Sequence, residues 1–284
     1  ESAKRALPIV QQELPVWNYT WELVLENPKQ LAEDFAVAGR SGIHGTVEQP
    51  SAIRGSEKDV YVGPGALVHP MVVIDAEHGP VYIDEGAEIH PFTRIEGPCY
   101  IGKKSILLGA KCREGNSIGP VCRVGGELEE SIIQGYSNKY HDGFIGHSYV
   151  GEWVNLGALT TNSDLKNDYS TVSVMLDGKH AIDTGSPKVG ALIGDHAKTS
   201  IGTLFNTGSC IGAMAILLYP VSLRTTGAGW TLGIGRLGGA LGPIGVGFAL
   251  GVGVAAGNLF YAAGAAAAIA SLLMFVLSRL QPNR

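Results

Sequence analysis

His141 stands in the polar run Ser137-Asn138-Lys139-Tyr140-His141-Asp142-Gly143, between apolar stretches, and it is the side chain here best suited to move a proton near neutrality. An imidazole of ordinary pKa, about 6.5, accepts a proton from an incoming nucleophile without a strongly altered environment. A histidine at the rim of a domain is otherwise just a solvated polar group, so its neighbours decide. His147 and Asn155 lie on the units that follow, within reach of His141 or of its counterpart in an adjacent subunit. Lys139 and Arg123 are cations of a kind that holds phosphate.

The elements that must position these residues are legible from a six-residue rhythm. Ile83, Ile89, Ile95, Ile101 and Leu107 recur every sixth residue, with Ala87, Thr93, Cys99 and Ser105 at the fifth place of each unit. That period fits neither an amphipathic helix nor a hairpin sheet and marks a hexapeptide solenoid, in which stacked coils bury a continuous aliphatic column. Val62, Val68 and Ile74 share the phase, as do Ile118 and Val124, then Phe144, Val150 and Leu156, then Ile193, Thr199, Phe205 and Ile211. Three stretches break it: Ala76 to Tyr82, Gly125 to Gly143, and Thr161 to about Lys188, with a one-residue shortening between Leu107 and Cys112. Insertions in a strict repeat leave on one face and are where function is expected.

The chain divides into 1–57, a linker and capping helix; 58–216, the solenoid; and 217–284, a hydrophobic α-hairpin. Asn27-Pro28 reads as N-cap and first turn of a helix that packs at the solenoid's N-terminal end. Cys99, Cys112, Cys122 and Cys210 have no paired spacing and read as small core residues in a reducing cytoplasm. The sequence opens at Glu1 without Met or signal peptide, as a piece of something longer would. The formal net charge is -5, yet no Asp or Glu follows Asp195, and nothing resembles a nucleic-acid surface. From Leu237 to Ser278 no residue is charged, and Gly257-Asn258 splits the stretch into two segments of near-spanning length. Flanking Arg224, Arg236, Arg279 and Arg284 put both ends on the cytoplasmic side, so membrane association through 217–284 is expected, against the alternative of a buried soluble hairpin. Gly233, Gly235 and Gly238 match a dinucleotide-loop spacing, but no βαβ unit surrounds them.

The stretch SNKYHDGFIGHSYVGEWVNLGALTTNSDLKNDYSTV, with DAEHGPVYIDEGAEIHPFTRIEGPCYIG before it and IGDHAKTSIGTLFNTGSCIGA after it, resembles the acetyltransferase half of bifunctional UDP-N-acetylglucosamine pyrophosphorylase/glucosamine-1-phosphate N-acetyltransferases. The resemblance covers about residues 15 to 215. It implies a mainly β fold, a left-handed parallel β-helix with three hexads per coil, a homotrimer, and acetyl-CoA as co-substrate in grooves between subunits. The nucleotidyltransferase half, with its Gly-rich loop, is absent. Carried over by position, His141 matches the general base and Asn155 the residue that orients an amino-sugar phosphate. Asn138, Asn162 and Lys166 join Arg123 and Lys139 as substrate-side candidates, and Ala158 and Lys198 as cofactor-side ones. Leu159 stands where this family commonly has glycine, and Phe144 where it has an aromatic hydroxyl.

The segment YPVSLRTTGAGWTLGIGRLGGALGP and the run after it are similar instead to the last two helices of a major facilitator superfamily transporter of the aromatic-acid/proton symporter branch, so the chain reads as a fusion. A membrane-tethered scaffold is then the alternative to an enzyme. Hexapeptide solenoids also carry zinc in γ-class carbonic anhydrases, but beside His141 and His147 no third histidine has a matching position, and no metal is expected.

Overall fold

The computed structural model describes residues 16–212. The fusion reading and the 217–284 hairpin therefore lie outside the described residues. Among the described residues no helix is long and apolar enough to cross a membrane.

The hexads build a parallel β-solenoid. One face is a nine-stranded parallel ladder running from Gly42–Ile43 through Val60–Val62, Val81–Ile83 and Cys99–Ile101 to Cys210–Ile211. The second stacks Thr46–Val47, Leu67–Val68, Glu88–Ile89 and the first part of Ile106–Cys112 and Arg123–Glu129, then Asn138–Lys139, and is extended by Asn155 and Lys198. The third carries Ala52–Gly55, Val73–Ala76, Arg94–Glu96, the second part of the same two long strands, and Phe144–Gly146. Ile83, Ile89, Ile95, Ile101 and Leu107 are wholly buried in one column. Their β-branched or aliphatic side chains suit a flat strand packed on its inner side.

Residues 125–143 are not an excursion. Leu128, Ile133 and Lys139 continue the inward column, and Glu127 pairs with Phe144 while Leu128 pairs with Ile145. Ile145 is therefore the inward residue and Phe144 points out, one place off the expected phase. The rhythm is lost because the corner between the second and third faces tightens: Cys112 follows Leu107, and Leu128 follows Val124, at shorter spacing than Ile95 follows Ile89. The full spacing returns with Lys139 and Ile145, so the corner at 140–143 is longer than the one beneath it. Gly125 and Gly126 make this stacking possible; a Cβ on either would strike the backbone of Tyr140 or Gly143, and Gly126 also has φ +71°.

The stretch after Asn162 does leave the solenoid. It forms an antiparallel hairpin, Ser173–Met175 with Ala181–Asp183, before Leu192–Ile193 rejoins the nine-stranded face.

The helix, α1, spans Thr20–Ala38 and so begins before the expected Asn27-Pro28 start. Glu22 closes its first turn by accepting from the N–H of Asn18 at 2.6 Å and of Tyr19 at 3.1 Å. Asn27 is no cap: its Nδ2 donates to Gly115 O and its Oδ1 accepts from Ser117 Oγ, each at 2.8 Å. Nor does the helix sit on the first coil. It lies along the outside of the nine-stranded face, against Cys99–Ile101, Asn116–Ile118 and Tyr149–Val150. Trp21 is buried with Val172, Val174, Val189 and Leu192, so the excursion serves as a socket for the start of α1. Past the far end of α1, Arg40 donates to the Tyr82 hydroxyl at 3.3 Å.

Candidate active site

The second face sets one outward column beside the His141 corner. Arg123 pairs with Asn138, Asn138 bridges to Asn155, and Asn155 to Lys198, each being the residue just before an inward position. Four of the expected residues are thereby brought onto one line. The Asn138 amide fixes the middle of it, donating to Asn155 Oδ1 at 2.9 Å and accepting from Tyr140 N–H at 3.0 Å. Asn155's own Nδ2 is left without a partner among the described residues. Arg123 and Lys198 are exposed.

His141 is exposed at the head of the longer corner, its ring edge-on to Tyr140 with centroids 5.6 Å apart. Among the described residues no carboxylate lies within ion-pair distance of its ring. One coil on, the stacked corner carries half-buried Ala158 and then Leu159, which is exposed with φ +63° and donates its N–H to Asp142 O. Leucine has no preference for that left-handed region and glycine does.

Lys139 is placed differently from the surface cation expected. It is inward and only 2% exposed, and its ammonium donates to Gly125 O at 2.9 Å and His141 O at 2.5 Å. Burial lowers its pKa to about 8, against the opposing pull of Asp142. Its ammonium thus fastens the corner from within. Asn162 is also inward, its amide closed on Gly146 N–H and Gly146 O at 3.0 Å each. Lys166 lies in the excursion and donates to Thr171 O at 2.5 Å. Neither joins the 123–198 column.

Two ionisable clusters were not foreseen, the carboxylate partners of His147 and a group around His69. His147 is buried, its Nδ1 2.7 Å from Asp164 and its Nε2 3.3 Å from Glu130. Burial works to lower its pKa, but the hydrogen bonds and charges of the two carboxylates outweigh it and raise it to about 9. Buried Glu129 next door takes Arg113 and Lys188. This is an ion network that engages both ring nitrogens of His147. The second group, on the outer surface of an early corner, is His69 with Glu48, Glu88 and His90. Glu48, His69 and His90 each directly follow an inward residue, so aligning coils instead of single hexads would have revealed them.

The cysteines are free, with Cys99, Cys112 and Cys122 buried as expected of small core residues. Burial raises all three thiols.

No family model matches the chain. It is similar to a bifunctional sugar-1-phosphate nucleotidylyltransferase/acetyltransferase of Sulfurisphaera tokodaii, 37% identical over 104 residues, which is 37% of this chain and 25% of that protein. A bifunctional protein GlmU of Methanococcus maripaludis is 33% identical over 91 residues, 32% of this chain and 22% of its own length. Another, of Rippkaea orientalis, is 27% identical over 154 residues, 53% and 32%. This chain thus spans between a fifth and a third of these curated relatives. Those relatives are named as bifunctional proteins, the first as a nucleotidylyltransferase/acetyltransferase, and the described residues of this chain form a parallel hexapeptide-repeat solenoid.

Proposed function

We propose that this chain transfers acetyl from acetyl-CoA to the amine of an amino-sugar phosphate. The observation that carries the reading is the column Arg123, Asn138, Asn155 and Lys198 running beside the projecting His141 corner. A base, an unpaired amide donor and two exposed cations are what an amine, a sugar hydroxyl and phosphates would require.

In this reading the amine nitrogen attacks the thioester carbonyl and His141 takes the proton it sheds. The C–S bond then breaks, the thiolate of CoA leaves and is protonated, and an N-acetyl sugar results. Asn155 donates its free N–H to the acceptor, Asn138 holds Asn155 in place, and Arg123 faces the sugar phosphate. Lys198 and the Ala158 corner lie on the side assigned to acetyl-CoA. Among the described residues no carboxylate lies within ion-pair distance of the His141 ring, so a carboxylate that orients the imidazole would come from a second copy, which suits the left-handed, trimeric assembly expected from the resemblance.

The test is a thiol-release assay with acetyl-CoA against a panel of amino-sugar 1- and 6-phosphates, using the full chain. Release that depends on one acceptor supports the proposal. No release with any acceptor, from protein that elutes as a folded oligomer, overturns it in favour of a scaffold.

A further inference from the structure

Glu48, His69 and His90 occupy the same place on three successive coils, because Val47, Val68 and Ile89 before them are in register. Glu88, one strand position earlier than Ile89, reaches across this column. Its Oε1 lies 3.1 Å from His69 Nε2 and 3.1 Å from His90 Nε2, and the rings are 4.9 Å apart and tilted by 38°. His69 Nδ1, on the far side of its ring, is 3.1 Å from Glu48 Oε2. The His69 and His90 side chains are 25% and 30% exposed and Glu88 40%, so the cluster borders solvent.

We infer that His69, Glu88 and His90 form a binding site for a divalent transition metal of the zinc type. Two imidazole nitrogens and one carboxylate oxygen are a recognised zinc donor set that leaves a fourth position for water. Atoms at the corners of a tetrahedron with bonds of 2.0 to 2.1 Å stand about 3.3 Å apart, close to the two separations here. Glu48 supplies the outer contact such sites need: accepting from Nδ1–H, it fixes the tautomer of His69 that directs the Nε2 lone pair at the ion. One carboxylate oxygen thus faces two ring nitrogens at 3.1 Å each, an arrangement that a dication held among the three atoms satisfies at once. No lysine or arginine among the described residues pairs with Glu48 or Glu88, so the site's charge is open to a cation. The cluster at Glu129, Glu130 and His147 differs in this respect, since Arg113 and Lys188 already balance it.

This assignment is independent of acetyl transfer. Full-length protein stripped with a chelator is titrated with Zn2+ by calorimetry, and with Co2+ followed by visible absorption. One ion per chain with a tetrahedral Co2+ spectrum is expected. Glu48→Gln should weaken binding about 10- to 100-fold, His90→Ala and Glu88→Gln should abolish the stoichiometric isotherm, and His147→Gln should leave it intact. Glu88→Gln is isosteric and surface-exposed, so it guards against a His90→Ala variant that fails to fold. The site is refuted if wild type takes up no ion, or if Glu88→Gln and His90→Ala bind as wild type does.

Discussion

The Lys139 ammonium reaches the carbonyl oxygen of His141 at 2.5 Å from inside the solenoid, so the corner that presents the proposed base is pinned by a charge shielded from water. Because burial depresses this lysine to about 8, the folded state sheds its proton before the unfolded chain, at about 10.4, does. The unfolded state then binds more protons between those values, and the Lys139 contribution to stability rises with pH across that window. Lys139→Met should remove this rise, worth on the order of 3 kcal/mol in total. Urea unfolding of both proteins from pH 7 to 10.5 measures the difference, and parallel curves would mean the lysine is not buried as a charge. Since the variant also frees the His141 carbonyl, kcat should fall with KM for acetyl-CoA unchanged.

His141→Ala is expected to leave unfolding unchanged, the side chain being exposed, while acetyl transfer drops about 10²- to 10⁴-fold. Asn155→Ala should raise KM for the acceptor and spare acetyl-CoA binding. Normal turnover in the first variant, or lost cofactor affinity in the second, would reverse the roles assigned.

His147 titrates the other way. Its folded pKa of about 9 exceeds the ordinary 6.5, so the stability it confers is complete below pH 6.5 and is lost as pH rises through 9. His147→Gln should cost on the order of 3 kcal/mol at pH 6 and much less at pH 10. Thermal melts at the two pH values decide it.

Asn27→Ala leaves Ser117 Oγ and Gly115 O without their partner beneath α1. A loss of about 1 to 3 kcal/mol is expected in urea unfolding. An unchanged midpoint would show that the helix is held by Trp21 alone.

Leu159→Gly removes a side chain held at φ +63°. Relief of about 1 to 2 kcal/mol is offset by glycine's extra freedom in the unfolded chain, so stability should hold within about 1 kcal/mol. Acetyl-CoA affinity, read by calorimetry, should stay equal or rise; a marked fall would show that Leu159 itself contacts the cofactor.

The solenoid was legible where burial alone dictates the residue, as from Ile83 to Leu107. It became illegible at Leu128 and Ile145 because corner length, not strand content, shifts the phase. Lys139 and Asn162 looked like surface residues because polar side chains are rarely inward; both are buried only because carbonyls and amides of the corners meet them. The helix start was misplaced since Asn27-Pro28 is a strong local signal, while the true cap works through Glu22 reaching back to an unremarkable Tyr19. The column of Arg123, Asn138, Asn155 and Lys198 needed coil register, which no single hexad reveals.

The docking of α1 also constrains the order in which this protein can mature on the ribosome. A repeat array stabilises itself between neighbours and can form coil by coil as it emerges. Here Trp21 is made well before Val172, Val174 and Leu192, which enclose it. Until they arrive, the amino-terminal segment must wait with its tryptophan uncovered, alongside coils that already stand. Emergence of the segment ending at Leu192, not of the coils nearest Trp21 in sequence, is thus the event that seals the outer face and joins earlier and later coils into one cooperative body.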